Sequence, residues 1–114
     1  MKLKDMTAAE RMTFGTLVRR LLGMDGAFSA EEAVKLEKSA ERLGKDEFWQ
    51  TIEEAGQHDL RDPALKARAK AVERQEVQET IYRNLFAIAT AGTIVSEEDS
   101  LLDWLSEAWS LEKE

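Results

Sequence analysis

The sequence predicts an all-α fold: a single-domain bundle of roughly five to seven helices, with two pseudo-symmetric helix-turn-helix hairpins near its ends. Three observations predict it. Hydroxyl-x-x-carboxylate signals, which start helices, recur at Thr7-x-x-Glu10, Ser29-x-x-Glu32 and Ser96-x-x-Asp99. Apolar residues follow them at the 3.6-residue period, with almost no strand-like alternation. The chain has 114 residues, 43% of them hydrophobic, with six glycines and one proline, so it has the length of one domain and no composition of disorder.

The elements follow in order. A first helix is expected from Ala8 to Gly23, with Phe14, Leu17, Val18, Leu21 and Leu22 on one face. A second runs from Ala30 to about Leu43 and stops at Gly44, a residue suited to a helix C-terminus. Asp46 caps a short third helix through Phe48, Trp49 and Ile52 to Gly56. The fourth start is Asp62-Pro63, where proline's missing amide proton and fixed φ do no harm.

From Pro63 to Gly92 no residue breaks a helix, yet the stretch from Glu73 to Thr80 carries only Val77 as a large apolar group. Two helices or a bend are therefore expected there. The last helix, Glu97 to about Ser110, sets Leu101, Leu102, Leu105, Ala108 and Trp109 on one arc with Trp104 at its edge.

Composition excludes several functions. There is no cysteine, which removes disulfides, thiolate metal sites and cysteine nucleophiles, and suits a reducing, cytoplasmic setting. Asp5, Glu10 and Arg11 stand where a secretory signal needs apolar residues. The longest uncharged run, Asn84 to Ser96, falls short of the ~20 apolar residues of a membrane span.

A net charge of -7 repels phosphates, so nucleic acid is not an expected partner. Residues 1–20 hold five basic and two acidic side chains, and 93–114 hold seven acidic and one basic. These are either solvated helix faces or surfaces for mutual or partner contact.

The stretch MDGAFSAEE, residues 24–32, resembles half of a calcium loop. Aligned to end at Glu32, it places Asp25, Gly26, Phe28 and Glu32 in register, but Leu21 and Gly23 occupy the first two ligand positions and offer no side-chain oxygen. What remains is a sharp turn, a core residue and a capped helix. A shift of 67 residues repeats that logic, pairing Phe14 with Ile81, Val18 with Leu85, Leu21 with Ile88, Phe28 with Val95, Ser29 with Ser96, Glu32 with Asp99 and Val34 with Leu101. Duplication and chance alignment of two amphipathic hairpins both account for it.

MDGAFSAEEAVKLEKSAERLG, followed by LFAIATAGTIVSEEDSLLDWLSEAWSL, resembles the tellurite-resistance TerB-like domains over about Phe14 to Leu111. In that family an alanine-rich helix leads into Asp-Gly-x-hydrophobic-Ser-x-x-Glu and a further helix, twice. The resemblance implies an all-α fold and a metal-associated or scaffolding role in stress responses. It carries the family's acidic positions onto Asp25, Glu32 and Asp99. The second turn departs from the pattern, because Ala91-Gly92-Thr93 stands where Ala-Asp-Gly is expected.

The expectation is thus a non-enzymatic cytoplasmic interaction or scaffold module. It needs no cofactor, or holds a divalent cation weakly on Asp25, Glu31, Glu32 and Asp99, and it meets a protein partner through Trp104 and Trp109. The rivals are a metal-dependent enzyme using Asp25, Glu31 and Glu32, and an obligate homo-oligomer with the Trp104 and Trp109 face between subunits. First-turn carboxylates also favour the helix dipole without a ligand, and tryptophan also serves core packing. His58, the only histidine, is expected as a solvated loop residue.

Overall fold

The helix Ala8–Leu22, α1, is the axis about which the molecule is built. A computed structural model describes the backbone at residues 2–22, 30–58, 61–90 and 96–110, and the side chains over the same spans apart from 22, 30–33, 35, 62, 89–90 and 96–100. Among the described residues are a short 3-10 turn (Leu3–Asp5) and six α-helices: α1 (Ala8–Leu22), α2 (Ala30–Leu43), α3 (Lys45–Ala55), α4 (Asp62–Ala71), α5 (Gln75–Thr90) and α6 (Ser96–Ala108). No strand occurs among them.

Helix α1 packs most extensively on α3 and also touches α4, α5 and α6. That position corrects the expectation of a single apolar face. Thr13, Thr16 and Arg19 are buried along with Phe14, Leu17, Val18 and Leu21. A polar residue can sit there only if its hydrogen bonds are made inside the protein. Thr13 Oγ1 donates to the Ala9 carbonyl at 3.0 Å and Thr16 Oγ1 to that of Met12 at 2.8 Å, each one turn back.

Gly15 lets α3 come close, since a Cβ there would stand 2.9 Å from the Ala55 Cβ and 3.0 Å from the Thr51 carbonyl oxygen. The buried Arg19 donates from Nε to the Ile52 carbonyl at 2.6 Å, joining a cation to the last turn of α3, where the helix dipole favours one. A Cβ on Gly56 would lie 2.7 Å from the Arg19 Cζ.

Several boundaries follow from local chemistry. At Thr7 the capping box forms in full: the Glu10 amide donates to Thr7 Oγ1 at 3.1 Å and the Thr7 amide to Glu10 Oε1 at 2.7 Å. Gly44, at φ 106°, ends α2 and begins α3 at once. Its amide donates to the Ala40 carbonyl at 2.8 Å, and its carbonyl accepts from Phe48 at 2.9 Å. Asp46 is therefore not the cap of α3; it lies in the first turn, one residue inside a helix that starts at Lys45. Helix α4 likewise starts one residue early, with Arg61 at the N-cap and Pro63 in the first turn.

The core is one cluster drawn from the 3-10 turn and α1 to α6. Leu3 and Met6 belong to it, although the polar look of the first twelve residues gave no hint of that. On α6, Leu102, Leu105 and Trp109 are buried and Leu101 and Trp104 are partly so, whereas Ala108 is exposed and leaves the expected arc. The internal repeat maps onto helices that pack together: Phe14, Val18 and Leu21 of α1 and Ile81, Leu85 and Ile88 of α5 are all buried. It does not extend to every pair, for Val34 is 62% exposed while Leu101 packs against the core.

Candidate functional site

The long run without a helix breaker does divide, and the division is where distant parts of the chain meet. Helix α4 ends at Ala71, Val72 turns extended at φ −80° and ψ 112°, and α5 begins at Gln75. No glycine, proline or small capping residue marks the place. The freed backbone groups are taken up by side chains instead. Trp109, one residue past the end of α6, donates from Nε1 to the Ala69 carbonyl at 2.9 Å, Gln78 from Nε2 to the Val72 carbonyl at 2.8 Å, and Thr13 from Oγ1 to the Arg68 carbonyl at 3.4 Å.

Arg74 completes the junction. Its Nε donates to Glu10 Oε2 at 2.9 Å, its Nη2 to Glu10 Oε1 at 2.6 Å and also to the Asp5 carbonyl at 3.1 Å. The two-point fork is the strong form of an arginine–carboxylate contact. The Arg74 side chain is about half exposed, whereas that of Glu10 is only 9% exposed. Hydrogen bonding from Arg74, opposed by desolvation and assisted by the Thr7 amide, lowers the Glu10 pKa from 4.5 to about 2. Arg74 in turn is pushed above its ordinary value by the same contact.

A groove of about 270 Å³ lies beside this pair, lined by Thr7, Glu10, Thr13, Arg68, Val72 and Arg74 among others. Glu10 remains ionised and fully engaged at neutral pH, so its chemistry is that of a tether; a general acid needs a proton to give at that pH. His58 closes the neighbourhood. Its Nδ1 lies 2.9 Å from Arg68 Nη2, and because a guanidinium only donates, Nδ1 is the acceptor of that contact. The expected loop histidine is exposed, and it has a partner.

The residues expected to hold a cation fall largely outside this view. Asp25 lies outside the described residues. Glu31 and Glu32 are in the first turn of α2 and Asp99 in that of α6, but their side chains are likewise not described. Among the described residues no group of three His, Asp or Glu gathers as a metal would require.

The two tryptophans at the C-terminal end of α6 and just beyond it part company. Trp109 is 6% exposed and tied to α4 by its indole N–H, while Trp104 is partly buried with the Lys66 ammonium 5.3 Å above its ring. Trp49 also stays partly exposed, edge-on to Phe48 at 5.2 Å, and Phe48 meets Phe14 at 5.9 Å.

Sequence reasoning found Glu10 as a cap and missed it as an ion-pair partner. Arg74 lies 64 residues away, and nothing in the local spacing marks it. No family model matches the chain, and neither a curated protein nor a solved structure matches it. The fold by itself defines an all-helical bundle, and no helix among the described residues is long and apolar enough to cross a membrane.

Proposed function

We propose that this chain is a non-enzymatic helical interaction module of the cytoplasm, TerB-like in kind, that acts in a stress response by contacting a protein partner. The observation that carries the reading is Trp104, a large aromatic left at the edge of the core under the Lys66 ammonium. Tryptophan is enriched among the few residues that carry most of the binding energy at protein interfaces. Leu101 and Phe86, also partly buried, add apolar surface on α6 and α5. The fate of Glu10 supports the same reading, since the most strongly shifted carboxylate among the described residues is engaged in holding the fold.

A photo-reactive amino acid at position 104 tests it by capturing the partner in the native cell. The captured protein, once purified, should bind the wild-type chain, and Trp104→Ala should weaken that binding by at least ~2 kcal/mol, the range of an interface hot spot. Equal affinity for both chains rejects the Trp104 surface.

A weak divalent-cation site on Asp25, Glu31, Glu32 and Asp99 belongs to this proposal as a modulator of the same module. Calorimetric titration with calcium, magnesium, manganese and zinc decides it. Silence with all four removes the cation and, with it, any metal-dependent activity of those carboxylates.

A further inference from the structure

We infer that α4 and α5 are one interrupted helix, and that two copies of this chain can exchange their α5–α6 hairpins by straightening at residues 72–74. The inference starts from the absence of a local stop. Residues 64–91 contain no glycine or proline, and the junction itself is Val72-Glu73-Arg74, of which glutamate and arginine are good helix formers. The chain's other described break between adjoining helices, at Gly44, has a positive-φ glycine. At 72–74 the interruption is held by side chains: from distant parts of the chain by Glu10 and the Asp5 carbonyl on Arg74 and by Trp109 on the Ala69 carbonyl, and from the first turn of α5 by Gln78 on the Val72 carbonyl.

Magnitudes then decide what straightening must do. A continuous helix from residue 62 to residue 90 holds roughly 29 residues and extends ~43 Å at ~1.5 Å per residue. The Cα trace of the folded chain spans 33 × 31 × 26 Å along its principal axes. A straight α4–α5 helix therefore overruns the longest of them by ~10 Å. It carries α5 and α6 away from α1 and α2, against which α5 packs, and bares the buried faces of Ile81, Leu85, Ile88, Leu102 and Leu105.

The surface that fits those faces is the vacated seat on a second copy, because it is the seat they leave. Exchange restores every core contact and gains the helical hydrogen bonds across 72–74. It gives up the Arg74–Glu10 fork and the entropy of association, so concentration sets the balance. Lys66 and Trp104 lie on opposite sides of the hinge. In an exchanged pair the Lys66 of one copy faces the Trp104 of the other.

Refolding the full-length chain from denaturant at micromolar and at millimolar concentration, followed by size-exclusion chromatography with light scattering, tests this. A dimer is expected after the concentrated refolding, and it should persist on dilution because return requires unfolding. Arg74→Ala should raise the dimer association constant roughly a hundredfold if it removes ~1.4 kcal/mol from each closed copy, because two copies open for every dimer formed. Glu73→Gly together with Arg74→Gly should lower it below the Arg74→Ala level, because two glycines oppose the straight helix.

Identity of the dimer is read by a short bis-maleimide on a Lys66→Cys, Trp104→Cys chain, which has no other thiol. The exchanged dimer yields a covalent species of twice the chain mass. A side-by-side dimer yields only chain-mass products and overturns the proposal, as does a chain that stays monomeric at both concentrations with Glu10→Gln and Arg74→Ala alike. If Arg74→Ala fails to fold, Glu10→Gln, which keeps the cap, carries the comparison.

Discussion

Glu10 and Arg74 stand 64 residues apart in the chain and are joined by two hydrogen bonds of 2.9 and 2.6 Å. Through that contact the first turn of α1 is fastened to the start of α5. The same carboxylate also completes the Thr7 capping box, so one side chain fixes where α1 begins and where the following helical run is interrupted.

Glu10→Gln separates these duties, since glutamine can still close the capping box but presents no charge to Arg74. The folded-state pKa of Glu10, about 2, lies below its ordinary value of 4.5. Its contribution is therefore complete above that ordinary value and is lost as pH falls from about 4.5 through 2. Because Arg74 is half exposed, the contribution is about 1–2 kcal/mol after solvent screening. Denaturant titrations across that window should show the wild type losing its advantage over Glu10→Gln as the solution becomes acidic.

Trp109→Phe removes the indole donor to the Ala69 carbonyl while keeping an aromatic ring in the core. The carbonyl still accepts from the Val72 amide at 3.1 Å, so the loss is that of one neutral hydrogen bond and a small change of volume, about 1–2 kcal/mol. Chemical denaturation gives the number, and an unchanged far-ultraviolet spectrum is expected alongside it.

Gly15→Val should act through the α1–α3 approach. The first added carbon already meets Ala55 Cβ at 2.9 Å and the Thr51 backbone oxygen at 3.0 Å, and valine adds two more that the rigid α3 backbone cannot absorb. Overpacking of this kind costs about 1–3 kcal/mol, more than the helix propensity regained on replacing glycine. A lowered unfolding midpoint with an unchanged m-value is the expected result.

Gly44→Ala tests the hinge between α2 and α3. At φ 106° an L side chain is strained whatever the space around it, and a Cβ would also sit 2.9 Å from Glu47 Oε2. A loss of about 1–3 kcal/mol is expected. Adding Glu47→Ala should recover only a small part of it, because a flexible carboxylate can move aside while the backbone angle cannot change without breaking both helix ends.

The class of fold and most helix boundaries were legible in the order of the amino acids, because those signals act within one turn of the backbone. Thr7 with Glu10 starts α1, Gly44 divides α2 from α3, Pro63 opens α4, and the apolar period marks Leu102, Leu105 and Trp109 as core. The polar centre from Glu73 to Thr80 also marked the run after Pro63 as one that divides, and the break falls at its leading edge. Tertiary structure alone decided the division at Val72 to Arg74, the burial of Thr13 and Thr16 on a helix surrounded on all sides, and the pairing of Glu10 with Arg74. Each of these depends on groups brought together by packing across dozens of residues. A helix with no internal stop ends only where other elements hold its backbone groups more favourably than its own next turn would.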